Sequence, residues 1–73
     1  MMTIYSDPEL NVSVLNFNGT FVPVYNTHEG QAFIAVDGKP QSFETAEEAI
    51  TAVQSYGLVT IKDGEQYAKA TSF

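Results

Sequence analysis

Three two-residue turn signals divide this chain and constrain its fold more than any other feature. Each pairs Asn or Asp with Gly; they are Asn18-Gly19, Asp37-Gly38 and Asp63-Gly64. These dipeptides tolerate the positive φ angles of the tight primed turns, whose twist matches that of two paired strands. The sequence therefore predicts a β-hairpin at each of the three places.

The segments around these turns have the composition of strands. They are rich in β-branched and aromatic residues, which pack well on a pleated surface. The predicted strands cover residues 11–17, 20–25, 31–36, 58–62 and 66–70. We expect a small antiparallel sheet of about five strands, preceded by a loose N-terminal arm over residues 1–8.

Between the third and fourth predicted strands the spacing of apolar residues changes. Apolar side chains at positions 46, 49, 50, 53 and 56 predict an amphipathic helix over residues 45–56. Thr45, with Glu48 three residues later, fits a capping box, and Gly57 is suited to a left-handed helix stop. The expected fold is α+β, with the order β-β-β-α-β-β.

The length of 73 residues is that of one compact unit, so we expect a single domain over residues 1–73. The chain has no cysteine, and therefore no disulfide framework. A hydrophobic core of this size typically supplies about 3–5 kcal/mol of stability. Function must then reside on the surface of this one unit.

The charge balance restricts the classes of partner. Nine acidic residues stand against three lysines and no arginine, which gives a net charge of −6. Binding to nucleic acid normally uses several Lys and Arg side chains against phosphates, and binding to a membrane surface needs a basic face. We expect neither partner. We also expect a cytoplasmic protein, because the sequence has no signal-peptide pattern and no apolar stretch long enough for a membrane span.

Few residues offer chemistry. His28 is the single histidine and lies beside Glu29 in a predicted polar loop. The five glycines are dispersed among turns, and the carboxylate pairs Asp7/Glu9 and Asp63/Glu65 are too few for a calcium loop. We predict no catalytic, cofactor-binding or metal-binding residue. A small enzyme with a site near His28 is the second alternative, and it would require a pocket that converges on this residue.

Pairing the first hairpin across its two-residue turn makes both faces of the sheet apolar, although the chain has only one helix to cover them. The sequence does not decide which face the helix covers, and the patch below follows if the helix covers Leu15, Val22, Val24, Ile34 and Val36. The opposite face would then carry an aromatic-rich patch, which is the candidate interaction surface: Val12, Val14, Phe21, Tyr25 and Phe33. Because side chains alternate along a strand, a slip of one residue would exchange the two faces.

The second apolar face must be covered, and the sequence allows three ways of covering it. The sheet can curl into a half-barrel, pair with a second copy, or bind a different protein. Hairpins followed by a helix of this kind, here residues 43–49, occur in many unrelated short bacterial and bacteriophage proteins. We therefore expect a non-enzymatic protein-interaction module, of an accessory or inhibitory kind, whose partner is another protein or a second copy.

The alternative function is that of an acidic decoy, which imitates nucleic-acid phosphates toward a basic groove. A decoy needs its carboxylates on one face, whereas solubilising carboxylates are scattered. Glu44, Glu47 and Glu48 form an acidic cluster at the predicted helix start, where the helix dipole alone accounts for them. The sequence leaves this choice open.

Overall fold

The computed structural model describes residues 2–72 of the chain. Within them lie one helix and seven strands, so the expected α+β class is confirmed and the strand count is two higher than expected. In chain order the elements are β1 (Met2–Asp7), β2 (Val12–Phe17), β3 (Thr20–Thr27), β4 (Gly30–Val36), β5 (Lys39–Pro40), α1 (Ala46–Gln54), β6 (Tyr56–Thr60) and β7 (Tyr67–Ser72).

The strands form one mixed sheet in the order β1-β2-β3-β4-β7-β6, with β5 paired to β4 beside this path. The first four strands are an antiparallel meander, of which β2, β3 and β4 were predicted. β4 and β7 instead pair in parallel, which corrects the expected all-antiparallel sheet; Phe33 lies beside Tyr67, and Ala35 beside Lys69. Parallel neighbours need a long crossover, and the helix lies within the connection between these two strands.

The first hairpin has the register that its turn predicts. Asn18 and Gly19 have φ angles of 51° and 89°, as a type I′ turn requires. The cross-strand pairs are Val12–Tyr25, Ser13–Val24, Val14–Pro23, Leu15–Val22, Asn16–Phe21 and Phe17–Thr20. The third predicted turn is also present, since the backbone N–H of Glu65 donates to the carbonyl of Lys62 at 3.1 Å and Gly64 has a φ of 85°. It lies within a longer loop, residues 61–66, so β6 and β7 pair antiparallel without a two-residue connection.

The expected loose N-terminal arm is wrong for residues 2–7, which form β1 and pair antiparallel with β2. The turn after β1 is closed by the carboxylate of Asp7, which accepts hydrogen bonds from the backbone N–H of Glu9 at 3.0 Å and of Leu10 at 3.2 Å. An Asp before Pro8 is a turn signal of this kind, so the sequence did contain the cue. Met1 lies outside the described residues.

A short segment fills the gap where β3 and β4 diverge. β5 pairs with the end of β4, and the backbone N–H of Gln41 donates to the carbonyl of Ile34 at 3.0 Å. Phe43 then pairs with Phe21 of β3 through two backbone hydrogen bonds of 2.8 and 2.9 Å. This bridge ties the start of the helix segment to the sheet.

The helix begins where its capping pattern predicts. Thr45 is the N-cap, and its hydroxyl accepts a hydrogen bond from the backbone N–H of Glu48 at 3.2 Å and donates to the Glu48 carboxylate at 3.0 Å. The predicted stop at Gly57 is wrong. Ser55 is the C-cap, and Gly57 lies within β6 at a register shift, where a glycine accommodates a bulge.

The core lies between this helix and one face of the sheet. Its buried side chains are Val12, Val14, Ile34, Ala49, Val53, Tyr56, Val59, Ala68 and Ala70. Tyr56 was expected at the end of the helix and instead begins β6. Its buried hydroxyl has no hydrogen-bond partner among residues 2–72, and burial raises the pKa of Tyr56 to about 12.

Candidate functional site

On β2 and β3 the helix covers the face opposite to the one on which the predicted patch depends, whereas on β4 it covers Ile34 and Val36 as that assignment assumed. Val12 and Val14 pack beneath α1, together with Ile34 of β4. The reason is the connection between β3 and β4, where Thr27 pairs directly with Gly30 across a two-residue turn formed by His28 and Glu29. The sequence had suggested a longer break there, and a change of one residue in loop length reverses which side chains share a face.

The five residues of the predicted interaction patch are therefore divided. Val12 and Val14 are fully buried, while Phe21 and Tyr25 are half-buried and pack against the same core. Phe33 lies on the other side of the sheet, because its partner in β3 is Val24. This pairing corrects the assignment of Phe33 to the same face as Val12 and Val14. One apolar face of the sheet is still without a covering element.

We call this uncovered surface the open face. Alternation along the strands and the cross-strand pairs assign its apolar members. They are Leu15, Phe17, Val22, Val24, Phe33, Ala35, Leu58 and Tyr67. Phe17, Leu58 and Tyr67 were absent from the predicted patch. Pairing of β4 with β7 brings Leu58 and Tyr67 to this face, and no local sequence signal predicts that pairing.

The open face partly covers itself. The rings of Phe17 and Phe33 lie 6.4 Å apart at an angle of 55°, a tilted arrangement that aromatic pairs favour. Leu15 and Val24 lie on the same face and are only 3% and 2% exposed. The two phenyl rings are left at the surface, since no helix or loop packs over them.

The large exposed hydrophobic side chains gather on this face. Residues 2–72 contain five of them, and four belong to the open face: Phe17, Phe33, Leu58 and Tyr67, with exposed fractions of 37%, 49%, 60% and 40%. Scattered single hydrophobic residues are normal on protein surfaces, whereas a contiguous group marks a binding surface. Phe33 is joined to Phe17 by a ring contact and to Tyr67 by strand pairing, and Leu58 lies farther along, beside Thr71 of β7. A shallow groove of about 240 Å³ runs along β4 and β7 and is lined in part by Ala35 and Tyr67.

One end of the open face is polar, and its side chains are hydrogen-bonded to one another. The amide of Asn26 donates to the Ser13 hydroxyl at 3.0 Å, and the amide of Gln31 donates to the side-chain carbonyl of Asn26 at 3.0 Å. The hydroxyls of Ser6 and Ser13 lie 3.1 Å apart. This row crosses β1 to β4 and borders the apolar part.

The strand residues of the open face include no Asp or Glu. Their single charged side chain is Lys69, whose ammonium nitrogen lies 3.3 Å from a carboxylate oxygen of Glu65 in the preceding loop. Because this ion pair is largely exposed, it contributes little to stability. It does leave the face without net charge in a chain whose net charge is −6.

The acidic residues lie elsewhere in the fold. The β1–β2, β3–β4 and β6–β7 connections meet at one end of the sheet, and five carboxylates belong to that end: Asp7, Glu9, Glu29, Asp63 and Glu65. The predicted acidic cluster of Glu44, Glu47 and Glu48 is exposed around the helix start. Asp37 occupies the β4–β5 turn. The carboxylates are thus divided among three places.

His28 lies at the acidic end of the sheet. It lines one shallow cleft of about 240 Å³ with Glu29 and Asp63, and a second of about 400 Å³ with Tyr25 and Ile61. The imidazole is exposed, and the ion pairs found within residues 2–72 do not include it. No three or more acidic or histidine side chains of these residues are arranged to hold a metal ion. No helix in this range is long and apolar enough to cross a membrane.

Comparison of the chain with protein-family models, curated proteins and solved structures finds no match.

Proposed function

We propose that the protein is a non-enzymatic protein-interaction module whose binding surface is the open face. The observation that carries this proposal is the gathering of Phe17, Phe33, Leu58 and Tyr67 on a sheet face that no other element covers. Aromatic residues are enriched at the centres of protein interfaces, and charged residues are depleted there. The open face has both properties.

The arrangement of polar groups supports a binding role over catalysis. General acid–base or nucleophilic chemistry needs a base held within hydrogen-bond reach of its partner group, in a site that limits access of water. His28 is exposed at the tip of a turn, in clefts that are open to solvent. The open face, by contrast, offers an apolar surface with satisfied polar groups at its border.

The proposal can be tested by affinity capture from a bacterial lysate with the purified protein. Phe33→Lys and Tyr67→Lys each place a charge on the open face, and we expect both variants to lose the proteins that the unmodified chain retains. Gln54→Lys is the matched control, because Gln54 is exposed on the helix and the charge change is identical. Equal retention by all four proteins would contradict the proposal.

The acidic end of the sheet supports a second candidate, the acidic decoy. Its five carboxylates lie in adjoining loops, so a basic groove could contact several of them together. In the same capture experiment, Glu29→Gln combined with Asp63→Asn should then release bound basic proteins, whereas Phe33→Lys should not. Loss of binding in the face variants alone favours the interaction module.

A further inference from the structure

We propose that Asn18 is a site of spontaneous deamidation and that the side chain of Asn16 slows this reaction in the folded chain. The reaction is independent of the proposed function of the open face. Asparagine is among the chemically labile residues of proteins. In the first hairpin turn Asn18 is followed directly by Gly19, and both residues are exposed.

The reaction needs only the chain and water. The backbone nitrogen of Gly19 attacks the side-chain amide carbon of Asn18, and the new N–C bond closes a succinimide ring. The bond from that carbon to the amide nitrogen breaks, and ammonia leaves with the proton from the Gly19 nitrogen. Water then opens the ring at either carbonyl, which yields aspartate with a normal peptide bond or isoaspartate with the main chain continued through its side chain.

The turn leaves the reacting atoms accessible. A side chain after Asn18 would hinder approach to the attacking nitrogen, and Gly19 has none. Apart from Gly19 and its two chain neighbours, no heavy atom of residues 2–72 lies within 4 Å of the place where its Cβ would stand. Water and hydroxide therefore reach this peptide group.

Asn16 holds the attacking nitrogen. The hydrogen bonds of a two-residue hairpin turn join the residues on either side, so the N–H of the second turn residue has no backbone acceptor. Here the side-chain carbonyl of Asn16 accepts that N–H, from Gly19, at 2.8 Å. Attack requires removal of this proton and rotation of the peptide plane toward the Asn18 side chain, and both break the hydrogen bond. The bonded turn is therefore protected.

The β4–β5 turn has the same geometry without this acceptor. Asp37 and Gly38 have φ angles of 52° and 78°, close to those of the first turn, and the flanking residues pair in the same way. Ala35 occupies the position that corresponds to Asn16, and its side chain has no oxygen. Asp37→Asn thus places an unprotected Asn-Gly turn of the same type in the same molecule.

The isoaspartate product would alter the hairpin. It adds one CH₂ group to the main chain inside a two-residue turn, which no longer matches the pairing of Phe17 with Thr20. Phe17 belongs to the open face, so the reaction would loosen one end of that surface.

The test is incubation of the purified chain in mildly alkaline buffer at physiological temperature, followed by tandem mass spectrometry. Each deamidation replaces NH₃ by H₂O and raises the mass at the reacting residue by about one unit. Asn16→Ala should speed the reaction at Asn18 about fivefold, the effect of losing a hydrogen bond of ordinary strength. In Asp37→Asn, the amide at position 37 should react faster than Asn18 by a similar factor.

Two controls separate the hydrogen bond from other effects. Asn16→Asp keeps a side-chain acceptor and should react as slowly as the unsubstituted chain. In denaturing urea the hairpin is lost, so Asn16→Ala and the unsubstituted chain should then deamidate at the same rate. Circular dichroism in the absence of urea verifies that each variant is folded.

Four outcomes would overturn the proposal. Asn18 that stays intact both in the folded chain and in urea is not a deamidation site. Equal rates for folded Asn16→Ala and the unsubstituted chain show that the hydrogen bond gives no protection. A rate increase that persists in urea belongs to the local sequence and not to the fold. If Asn16→Ala does not fold, Asp37→Asn decides, and equal rates at its two turns contradict the protective role of Asn16.

Discussion

Ile34 and Phe33 are neighbours in β4, and they show how differently the two faces of one sheet are treated. Ile34 lies beneath the helix and is completely buried, whereas Phe33 lies on the open face and is 49% exposed. Both are large apolar side chains in the same strand. Within β4 the helix decides which of these two side chains is buried, because the apolar pattern of the sequence is similar on the two faces.

The two faces also differ in how their cover is made. On one, Ala49 and Val53 of the helix close the core over the sheet. On the other, Leu15 and Val24 are buried although no helix lies over them, while Phe17 and Phe33 stay in contact with water. Burial of apolar surface contributes roughly 25 cal/mol per Å². A partner on the open face would therefore gain stabilisation that the folded monomer leaves unused.

The largest expected effect comes from placing the same charge on each side of β4. Ile34→Lys should unfold the domain, because an unpaired charge in the core costs several kcal/mol and a core of this size supplies only about 3–5 kcal/mol. Phe33→Lys should leave the domain folded, with a small loss of stability. Circular dichroism and chemical denaturation of both variants provide the measurement.

Two outcomes for these variants would contradict the assignment of the two faces. If Ile34→Lys folds as well as the unmodified chain, the face beneath the helix is not the core. If Phe33→Lys unfolds instead, the open face belongs to the core and is unsuited to partner binding.

The next effect concerns the buried tyrosine of the covered face. Burial raises the pKa of Tyr56 from 10.0 to about 12, so the unfolded chain loses this proton at lower pH than the folded chain does. The contribution to stability is complete below pH 10 and is lost as the pH rises through 12. The loss amounts to about 2–3 kcal/mol. We expect Tyr56→Phe to flatten the alkaline part of a plot of unfolding free energy against pH.

The open face again provides the matched control, because Tyr67 is a tyrosine that is 40% exposed there. Tyr67→Phe should leave the alkaline loss in place. At neutral pH, Tyr56→Phe should be neutral or stabilising by up to about 1 kcal/mol, since it removes a buried hydroxyl without a partner. A clear destabilisation would show that this hydroxyl is hydrogen-bonded.

The smallest expected effect is the loss of stability caused by removing the N-cap of the helix, which covers one of the two faces. Thr45→Ala removes the acceptor for the backbone N–H of Glu48 and should cost about 1 kcal/mol, whereas Thr45→Asp keeps an acceptor and should be nearly neutral. Urea denaturation of the two variants measures the difference. An unchanged midpoint for Thr45→Ala would show that the cap contributes nothing to holding the cover in place.

Features that depend on residues close together in the chain could be predicted from the sequence. Asn18-Gly19 determined a type I′ turn, and through it the complete register of the first hairpin. Thr45 and the spacing of Ala49 and Val53 determined the start and the buried stripe of the helix. These features follow from interactions between residues close in the chain, and such interactions can be read locally.

Pairings between distant segments set which sheet face became the core. The two-residue turn at His28 and Glu29 reversed the expected grouping of Phe33, and the parallel pairing of β4 with β7 brought Tyr67 to the open face. The candidate site was therefore predictable as a surplus apolar face, but its residues were not. The physical reason is that side chains alternate along every strand, so one residue of loop length or a pairing between distant segments determines the side on which each residue lies.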